Sequence, residues 1–284
     1  MRVMITGASG MTGAELARQS RAKGWIVTAL THSELDVAEL PSVEDAAGRA
    51  HPDVIFNAAA YTAVDAAEDS AENAMAVNGT GAGNVALAAR YNDALMIHIS
   101  TDYVFDGESS LPYKPDDATH PVNVYGESKL AGEIAVRDEC HNHIIVRTSW
   151  VYSHEGKNFV RTMLKSAGEG RPLRVVHDQR GCPTSSEDLA AALIKAAEAS
   201  RERSITGTFH FCNAGITTWF DLAREIFAIR KIDAHLEPIS SDEFAAKAKR
   251  PRSSVLDCTS FVTTFGVEPR PWQAALKDTM ARIS

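Results

Sequence analysis

The chain has 284 residues, 44% of them hydrophobic and 23% charged, a balance typical of globular proteins rather than disordered or membrane proteins. Its 29 Lys and Arg residues against 37 Asp and Glu residues give a net charge of −8, so a basic surface for nucleic acid is not expected. No stretch approaches the roughly 18 apolar residues of a membrane span. Four cysteines without a C-x-x-C pair, and an N-terminus without a signal-like segment, favour a cytoplasmic protein.

The first half of the chain alternates short apolar runs with amphipathic stretches. The runs predict strands at 2–6, 25–30, 54–58, 94–100 and 143–147, and the amphipathic stretches predict helices at 14–23 and 73–91. Short β-branched strands that alternate with helices indicate a parallel sheet covered on both faces. The predicted fold is therefore α/β, a doubly wound parallel sheet of the Rossmann-like type.

The second half has a looser pattern. Helices are predicted at 158–169, 186–199, 217–229 and 272–282, with one further strand at 207–213. We therefore expect a Rossmann-like nucleotide-binding domain at 1–152 and 185–216. A smaller, discontinuous α/β substrate-binding domain is expected at 153–184 and 217–284.

Three glycines, Gly7, Gly10 and Gly13, stand between the first predicted strand and the first predicted helix. Glycines let the backbone turn sharply and let a pyrophosphate approach, and a helix N-terminus attracts its charge. The spacing is not the G-x-G-x-x-G fingerprint, and a tight turn without a ligand is the alternative. The strand-turn-helix context favours a dinucleotide site.

The second strand is expected to end near Thr31, where NAD-binding proteins place an acidic residue on the ribose. Glu34 has about the right spacing but falls beyond the predicted strand end. No arginine is evident there either. We therefore expect NADPH as the preferred cofactor, with NADH tolerated.

Tyr125 and Lys129 are separated by one helical turn. A cation within about 4–6 Å lowers the pKa of a tyrosine, which lets the phenol act as a general acid towards a carbonyl oxygen. A third hydroxyl is expected at the end of the fourth strand, where Ser100 and Thr101 are both candidates. The alternatives are an ordinary helix-surface pair and a strand-end cap.

Six segments of the chain together resemble the dTDP-4-dehydrorhamnose reductases, which are extended short-chain dehydrogenases. The segments are 7–13, 57–65, 100–107, 125–129, 147–152 and 178–184. The resemblance runs in order from the N-terminus to about Trp272. The segments at 100–107 and 178–184 are much more specific than the glycine loop.

The resemblance implies roles for individual residues. The catalytic positions are Thr101, Tyr125 and Lys129, and the resemblance is what selects Thr101 over Ser100. Besides the three glycines, Tyr125 and Lys129, the cofactor positions are Met11, Thr12, Asp36, Val37, Ala59, Ala60 and Tyr61. The substrate positions are Val64, Thr101, Asp102, Tyr103 and Trp150. Arg180, Arg250 and Arg252 are further candidates for the diphosphate of a nucleotide sugar.

The implied reaction is reduction of the C4 ketone of dTDP-4-dehydro-6-deoxy-L-mannose to dTDP-L-rhamnose. Three alternatives remain open at this point. They are a reductase of another dTDP-4-keto-deoxysugar, a dehydratase or epimerase that retains NAD, and a non-catalytic NADP-binding subunit like the beta subunit of methionine adenosyltransferase. The expected partner is a dTDP-sugar, and a homodimer is compatible with the sequence.

Some members of the resembled family bridge dimers with Mg²⁺ held by three glutamates. Glu15 and Glu187 match two of these positions, but the closing segment offers only Asp278. Because Mg²⁺ requires near-octahedral oxygen ligation, we predict no metal site. Glu15 and Glu187 are then expected to be ordinary exposed helix charges.

Overall fold

The computed structural model describes residues 1–167 and 172–283. In chain order its strands are β1 (Arg2–Thr6), β2 (Ile26–Leu30), β3 (Val54–Asn57), β4 (Leu95–Thr101), β5 (His143–Thr148), β6 (Val151–Tyr152), β7 (Leu173–Val176), β8 (Arg180–Gly181), β9 (Thr184–Ser185), β10 (Gly207–His210), β11 (Thr217–Thr218) and β12 (Leu236–Ile239).

Its α-helices are α1 (Met11–Ala22), α2 (Leu40–Ala50), α3 (Val64–Ala67), α4 (Ala71–Met75), α5 (Gly81–Tyr91), α6 (Val124–Glu139), α7 (Phe159–Ala167), α8 (Ser186–Arg203), α9 (Trp219–Arg230), α10 (Ser241–Phe244), α11 (Thr259–Phe265) and α12 (Trp272–Ala281). The predicted helix at 158–169 corresponds to α7, and its last two residues, Gly168 and Glu169, lie outside the described residues.

Six parallel strands form the central sheet, in the order β10-β5-β4-β3-β1-β2. The predicted α/β class and parallel sheet are confirmed. In the sheet, β2 pairs with one edge of β1 and β3 pairs with the other edge, so the direction of winding reverses after β2. This reversal opens a crevice beyond the carboxyl ends of β1 and β3, which is where open α/β sheets bind ligands.

Alternate residues of each central strand point to opposite faces, and each face has its own apolar core. Val3 and Ile5 of β1 pack with α1, α8 and α11, whereas Met4 packs with α2, α5 and α6. Both faces of the sheet are therefore covered by helices. The inner strands β1, β3, β4 and β5 are accordingly buried along nearly their whole length.

Another apolar cluster joins α7, α9 and α12 beside the sheet, around Leu222, Phe227, Trp272 and Leu276. Two short strand pairs, β7 with β12 and β8 with β11, lie in the same part of the chain. These elements come from the segments that the sequence assigns to a substrate domain. The boundaries of that domain remain a prediction.

The predicted helix at 73–91 is interrupted. The helices α4 and α5 are separated by a π-helical stretch, Ala76–Thr80, and α2 was not predicted. The wider turn contains Asn78, whose buried side chain accepts a hydrogen bond from the Tyr61 N–H at 2.8 Å and donates to the Tyr61 carbonyl at 3.0 Å. A local bulge in the helix thus positions a loop after β3.

No helix within the described parts of the chain is both long enough and apolar enough to cross a membrane.

We predict that Gly132→Ala destabilises the fold, because a Cβ there would lie 2.1 Å from the backbone oxygen of Asn78. Overpacking of this kind typically costs about 1–3 kcal/mol. Urea unfolding followed by circular dichroism measures the change. Gly48→Ala in α2 is the control, since its Cβ would meet nothing within 4 Å. That variant should be neutral or stabilised by up to about 1 kcal/mol. Equal stability of the two variants would contradict the packing argument.

Candidate active site

The turn between β1 and α1 is built from close backbone contacts. Gly7 has φ 65°, and a Cβ on Gly13 would lie 2.2 Å from the Gly7 oxygen. Gly10, at the N-cap of α1, offers no side-chain cap, so the first N–H groups of the helix have no partner from that residue. A helix N-terminus with free N–H groups and no blocking side chain fits the pyrophosphate of a dinucleotide.

A cavity of about 460 Å³ opens beside this turn. Most of the predicted site residues line it: Gly10, Met11, Thr12, Gly13, Ala60, Val64, Thr101, Asp102, Tyr103, Tyr125, Lys129 and Trp150. The structure thus brings the glycine turn, the Tyr-Lys pair and the predicted substrate residues to one cavity.

Five predicted cofactor residues do not line this cavity: Gly7, Asp36, Val37, Ala59 and Tyr61. Gly7 lies beneath the turn, against the backbone of the loop after β3. Val37 is buried among the helices, and Asp36 accepts a hydrogen bond from the Ala38 N–H at 3.0 Å. Their assignment to the cofactor remains a prediction.

The two candidate hydroxyls at the end of β4 have different partners. Ser100 donates to Glu133 at 2.6 Å, within a buried network. Thr101 donates to Asp102 at 3.0 Å, and its hydroxyl lies close enough to Tyr125 to affect the pKa of that phenol. Thr101 is therefore the hydroxyl beside the tyrosine.

Lys129 is buried with 2% of its surface exposed. Its ammonium donates to the Ile99 carbonyl at 2.7 Å and lies 3.4 Å from Nε2 of His98. Burial lowers the pKa of Lys129 to about 8, although the charge of Glu133 acts in the opposite direction. Burial also lowers the pKa of His98 well below its usual value, so the imidazole is neutral.

His98 belongs to a row of polar residues that crosses three strands. Thr6 of β1 is the register partner of Asn57, which is the register partner of His98. The Thr6 hydroxyl donates to Asn57 at 2.7 Å, and the Asn57 amide lies 3.1 Å from Nδ1 of His98. The row therefore connects β1 to Lys129, and the sequence reasoning missed both His98 and Asn57.

The predicted lowering of the Tyr125 pKa by Lys129 is wrong. Burial raises the pKa of Tyr125 to about 12, with Thr101 acting in the opposite direction. The negative charge of Asp102 raises this pKa further, and the Lys129 ammonium does not offset it. Tyr125 also packs edge-on against Tyr103, with ring centroids 5.7 Å apart.

Two buried oxygens at the cavity have no hydrogen-bond partner among the described residues. They are Oδ2 of Asp102 and Oγ1 of Thr148. Burial raises the pKa of Asp102 to about 7. Buried polar atoms are normally paired, so both oxygens are candidates for a ligand hydroxyl. Thr148 was not among the predicted site residues.

Trp150 lies face to face with Trp219, with ring centroids 3.7 Å apart. Its backbone has φ 48°, an uncommon conformation for a large side chain. A Cβ on Gly181 would lie 2.4 Å from the Trp150 ring, so this glycine leaves room for the indole. Trp219, which also lines the cavity, was missed because α9 is distant in sequence.

Glu34 lies beyond the end of β2 at Leu30, as the sequence predicted, but its side chain reaches back towards the strand. Its carboxylate turns back and accepts from the Thr31 N–H at 2.9 Å and from the Thr31 hydroxyl at 2.8 Å. These bonds lower the pKa of Glu34. A negative charge is therefore present directly after β2.

Glu15 is not an exposed helix charge, because only 3% of its surface is accessible. It pairs with Arg18 at 2.8 Å and with Arg282 at 3.2 Å. Glu187 pairs with Arg282 at 2.7 Å and with Arg18 at 3.2 Å. The Arg18 and Arg282 guanidinium groups therefore form ion pairs with both carboxylates. Because these cations occupy the positions that a metal ion would need, Glu15 and Glu187 do not fit a Mg²⁺ site. No group of potential metal ligands was found among the described residues.

The family model described as the RmlD substrate binding domain matches residues 1–284. The chain is 44% identical over 287 residues to dTDP-4-dehydrorhamnose reductase of Mycolicibacterium smegmatis, covering 99% of this chain and 86% of that protein. It is 40% identical over 277 residues to the spore coat polysaccharide biosynthesis protein SpsK of Bacillus subtilis, covering 98% of this chain and 96% of that protein. A crystal structure of dTDP-4-dehydrorhamnose reductase from Bacillus anthracis in complex with NADP has a TM-score of 0.94 at 35% identity, covering 99% of this chain and 98% of that chain.

Proposed function

The chain belongs to the RmlD family of dTDP-4-dehydrorhamnose reductases, and from this premise we propose that it reduces the C4 ketone of dTDP-4-dehydro-6-deoxy-L-mannose to dTDP-L-rhamnose. It is an NAD(P)H-dependent oxidoreductase. One observation carries the proposal: Thr101, Tyr125 and Lys129 line the same cavity as the glycine turn. The intact catalytic set argues against a non-catalytic binding subunit.

Each residue of the catalytic set has a role in this proposal. NADPH, when bound, supplies the hydride that reaches the C4 carbon. Tyr125 donates a proton to the C4 oxygen, and its raised pKa keeps the phenol protonated beforehand. Thr101 would stabilise the phenolate that remains, and Lys129 would hold the nicotinamide ribose. The glycine turn, Met11 and Thr12 would hold the pyrophosphate.

The sugar and the nucleotide diphosphate have separate candidate sites. Asp102 and Thr148 would bind sugar hydroxyls, and the stacked Trp150 and Trp219 rings line the same cavity as an apolar wall. A second cavity, of about 610 Å³, is lined by four cations and three carboxylates: Lys247, Lys249, Arg250, Arg252, Asp106, Glu108 and Asp242. The Arg250 guanidinium donates two hydrogen bonds to the Asp65 carboxylate, at 2.8 Å and 3.0 Å. We assign the dTDP diphosphate to this cavity.

The division of the chain into a nucleotide-binding domain at 1–152 and 185–216 and a substrate domain at 153–184 and 217–284 is part of the same proposal. It is supported by the separate apolar core around α7, α9 and α12.

The reaction is tested with purified protein, NADPH and a panel of dTDP-4-keto-deoxysugars. We expect NADPH oxidation with the L-mannose-configured substrate, and dTDP-L-rhamnose as the product identified by NMR. Turnover of only a different sugar would assign the chain to another deoxysugar. Tightly bound NAD with no net oxidation of NADPH would instead favour a dehydratase or epimerase.

We predict that Tyr125→Phe lowers kcat by about 10²–10⁴-fold, because the proton donor is lost. The affinity for NADPH should change little, since the ring and its packing remain. Steady-state kinetics and fluorescence titration with NADPH measure the two quantities. Tyr91→Phe, at an exposed tyrosine, is the matched control and should behave like the parent chain. A Tyr125→Phe variant within a few-fold of the parent would remove this residue from the mechanism.

We predict that kcat/KM falls as the pH rises through about 8, because Lys129 loses its proton there. Above that pH the loss approaches roughly tenfold per pH unit, as for any single essential proton. Asp102 titrates near pH 7, so the profile is repeated with Asp102→Asn. The fall near pH 8 should persist in that variant. A profile that stays flat well above pH 8 would show that the Lys129 ammonium is not required.

We propose NADPH as the preferred cofactor, which is supported by the NADP complex of the Bacillus anthracis relative. The Glu34 carboxylate opposes this preference, because it would repel a 2′-phosphate near the end of β2. We therefore predict a modest preference, and Glu34→Gln should increase the ratio of kcat/KM for NADPH to that for NADH. Glu225→Gln on α9 is the control. An unchanged ratio in Glu34→Gln would place the ribose away from Glu34.

We predict that EDTA changes neither the activity nor the molecular mass in solution, because Arg18 and Arg282 already neutralise Glu15 and Glu187. Sedimentation velocity with and without Mg²⁺ measures the mass. A halved mass in EDTA that Mg²⁺ restores would show that a bridging metal displaces the arginines.

A further inference from the structure

Three of the four cysteines come together although they are far apart in sequence. The sulfur atoms of Cys212 and Cys258 lie 3.5 Å apart. Cys182 belongs to the same apolar cluster and lines the same cavity as Cys212 and Cys258. Cys140 is separate, and its thiol faces the Asn142 carbonyl at 3.4 Å. All four cysteines are free.

The three thiols are carried by different elements that pack into one apolar cluster. Cys182 directly follows β8, Cys212 lies just beyond the end of β10, and Cys258 directly precedes α11. The cluster around them includes Val104, Phe105, Tyr113, Val255 and Leu256. The contact between the sulfurs is therefore set by the packing of the core rather than by a mobile loop.

The cluster is accessible from outside. A cavity of about 380 Å³ is lined by all three cysteines and by apolar side chains such as Ile216 and Val262. Cys258 is partly exposed, whereas Cys182 and Cys212 are buried. A small uncharged oxidant can enter such a cavity and meets Cys258 as the most accessible thiol. Hydrogen peroxide belongs to this chemical class.

We propose that Cys258 and Cys212 form a peroxide-reactive thiol pair, in which Cys258 is oxidised first and Cys212 resolves it as a disulfide. In the first step the Cys258 sulfur attacks hydrogen peroxide, the O–O bond breaks, and Cys258 sulfenic acid and water form. In the second step the Cys212 sulfur attacks the sulfenic sulfur, the S–S bond forms and the S–O bond breaks. The Cys212 proton leaves with the hydroxyl group as a second water. Two thiols are oxidised and one peroxide is reduced.

The geometry supports the second step. A disulfide requires an S–S distance of about 2.05 Å, so the two sulfurs must approach from 3.5 Å by roughly 1.5 Å. Cys258 lies at the partly exposed start of a short helix, where rotation of its side chain can supply much of this movement. Cys182 is buried, whereas Cys258 is partly exposed, so Cys182 is not expected to be the first thiol to react.

The experiment treats the reduced, full-length protein with hydrogen peroxide, blocks free thiols with iodoacetamide after unfolding, and maps peptides by mass spectrometry without reduction. We expect a crosslinked peptide pair that contains Cys212 and Cys258 and is lost after dithiothreitol. Cys140 should be recovered alkylated in every sample, since it has no neighbouring thiol within the described residues.

Variants separate the proposed pair from general oxidation. Cys258→Ser should abolish the crosslink, whereas Cys140→Ser should retain it. Cys212→Ala should leave Cys258 as a sulfenic acid that dimedone traps, and thermal unfolding checks that each variant is folded. Recovery of both Cys212 and Cys258 as free thiols after peroxide treatment would overturn the proposal. A crosslink through Cys182 in the parent chain would also overturn it, because either Cys258 or Cys212 would then lie outside the disulfide.

Discussion

The burial of one cation, the Lys129 ammonium, is the constraint on which the site depends. Removing an ammonium from water costs several kcal/mol unless hydrogen bonds and charges replace the lost hydration. Here the Ile99 carbonyl and the neutral His98 ring lie against it. Both partners belong to β4, so the position of α6 over the sheet and the register of β4 are fixed together. A slip of one residue would turn His98 to the opposite face.

A buried ion pair lies one helical turn beyond Lys129 and balances the local charge. Glu133 accepts from Arg147 at 2.8 Å and 2.7 Å, and Arg137 adds a third contact at 2.7 Å. Burial alone would raise the pKa of Glu133, but the hydrogen bonds and charge of Arg147 outweigh it and keep the pKa low. The resulting carboxylate favours the charged form of Lys129. It also holds Ser100, which leaves Thr101 as the hydroxyl beside Tyr125.

The features that the sequence predicted well are those encoded by neighbouring residues. The glycine turn depends on Gly7 to Gly13, and the Tyr-Lys pair depends on one helical turn, so both are readable from local spacing. The row of Thr6, Asn57 and His98 depends on the register of three strands, which no single segment encodes. The Trp150–Trp219 stack and the burial of Glu15 arise in the same way, from contacts between distant elements.

Burial also determines how the site responds to its ligands. Asp102 and Lys129 have pKa values of about 7 and about 8, because burial removes both charged groups from water. A ligand hydroxyl that donates to the unpaired Asp102 oxygen favours the carboxylate and lowers its pKa. A cofactor oxygen that accepts from Lys129 favours the ammonium and raises its pKa. Because such coupling is reciprocal, ionisation of these two groups must strengthen the binding of the ligands that contact them. Ligand binding is therefore the step that fixes both charges near neutral pH.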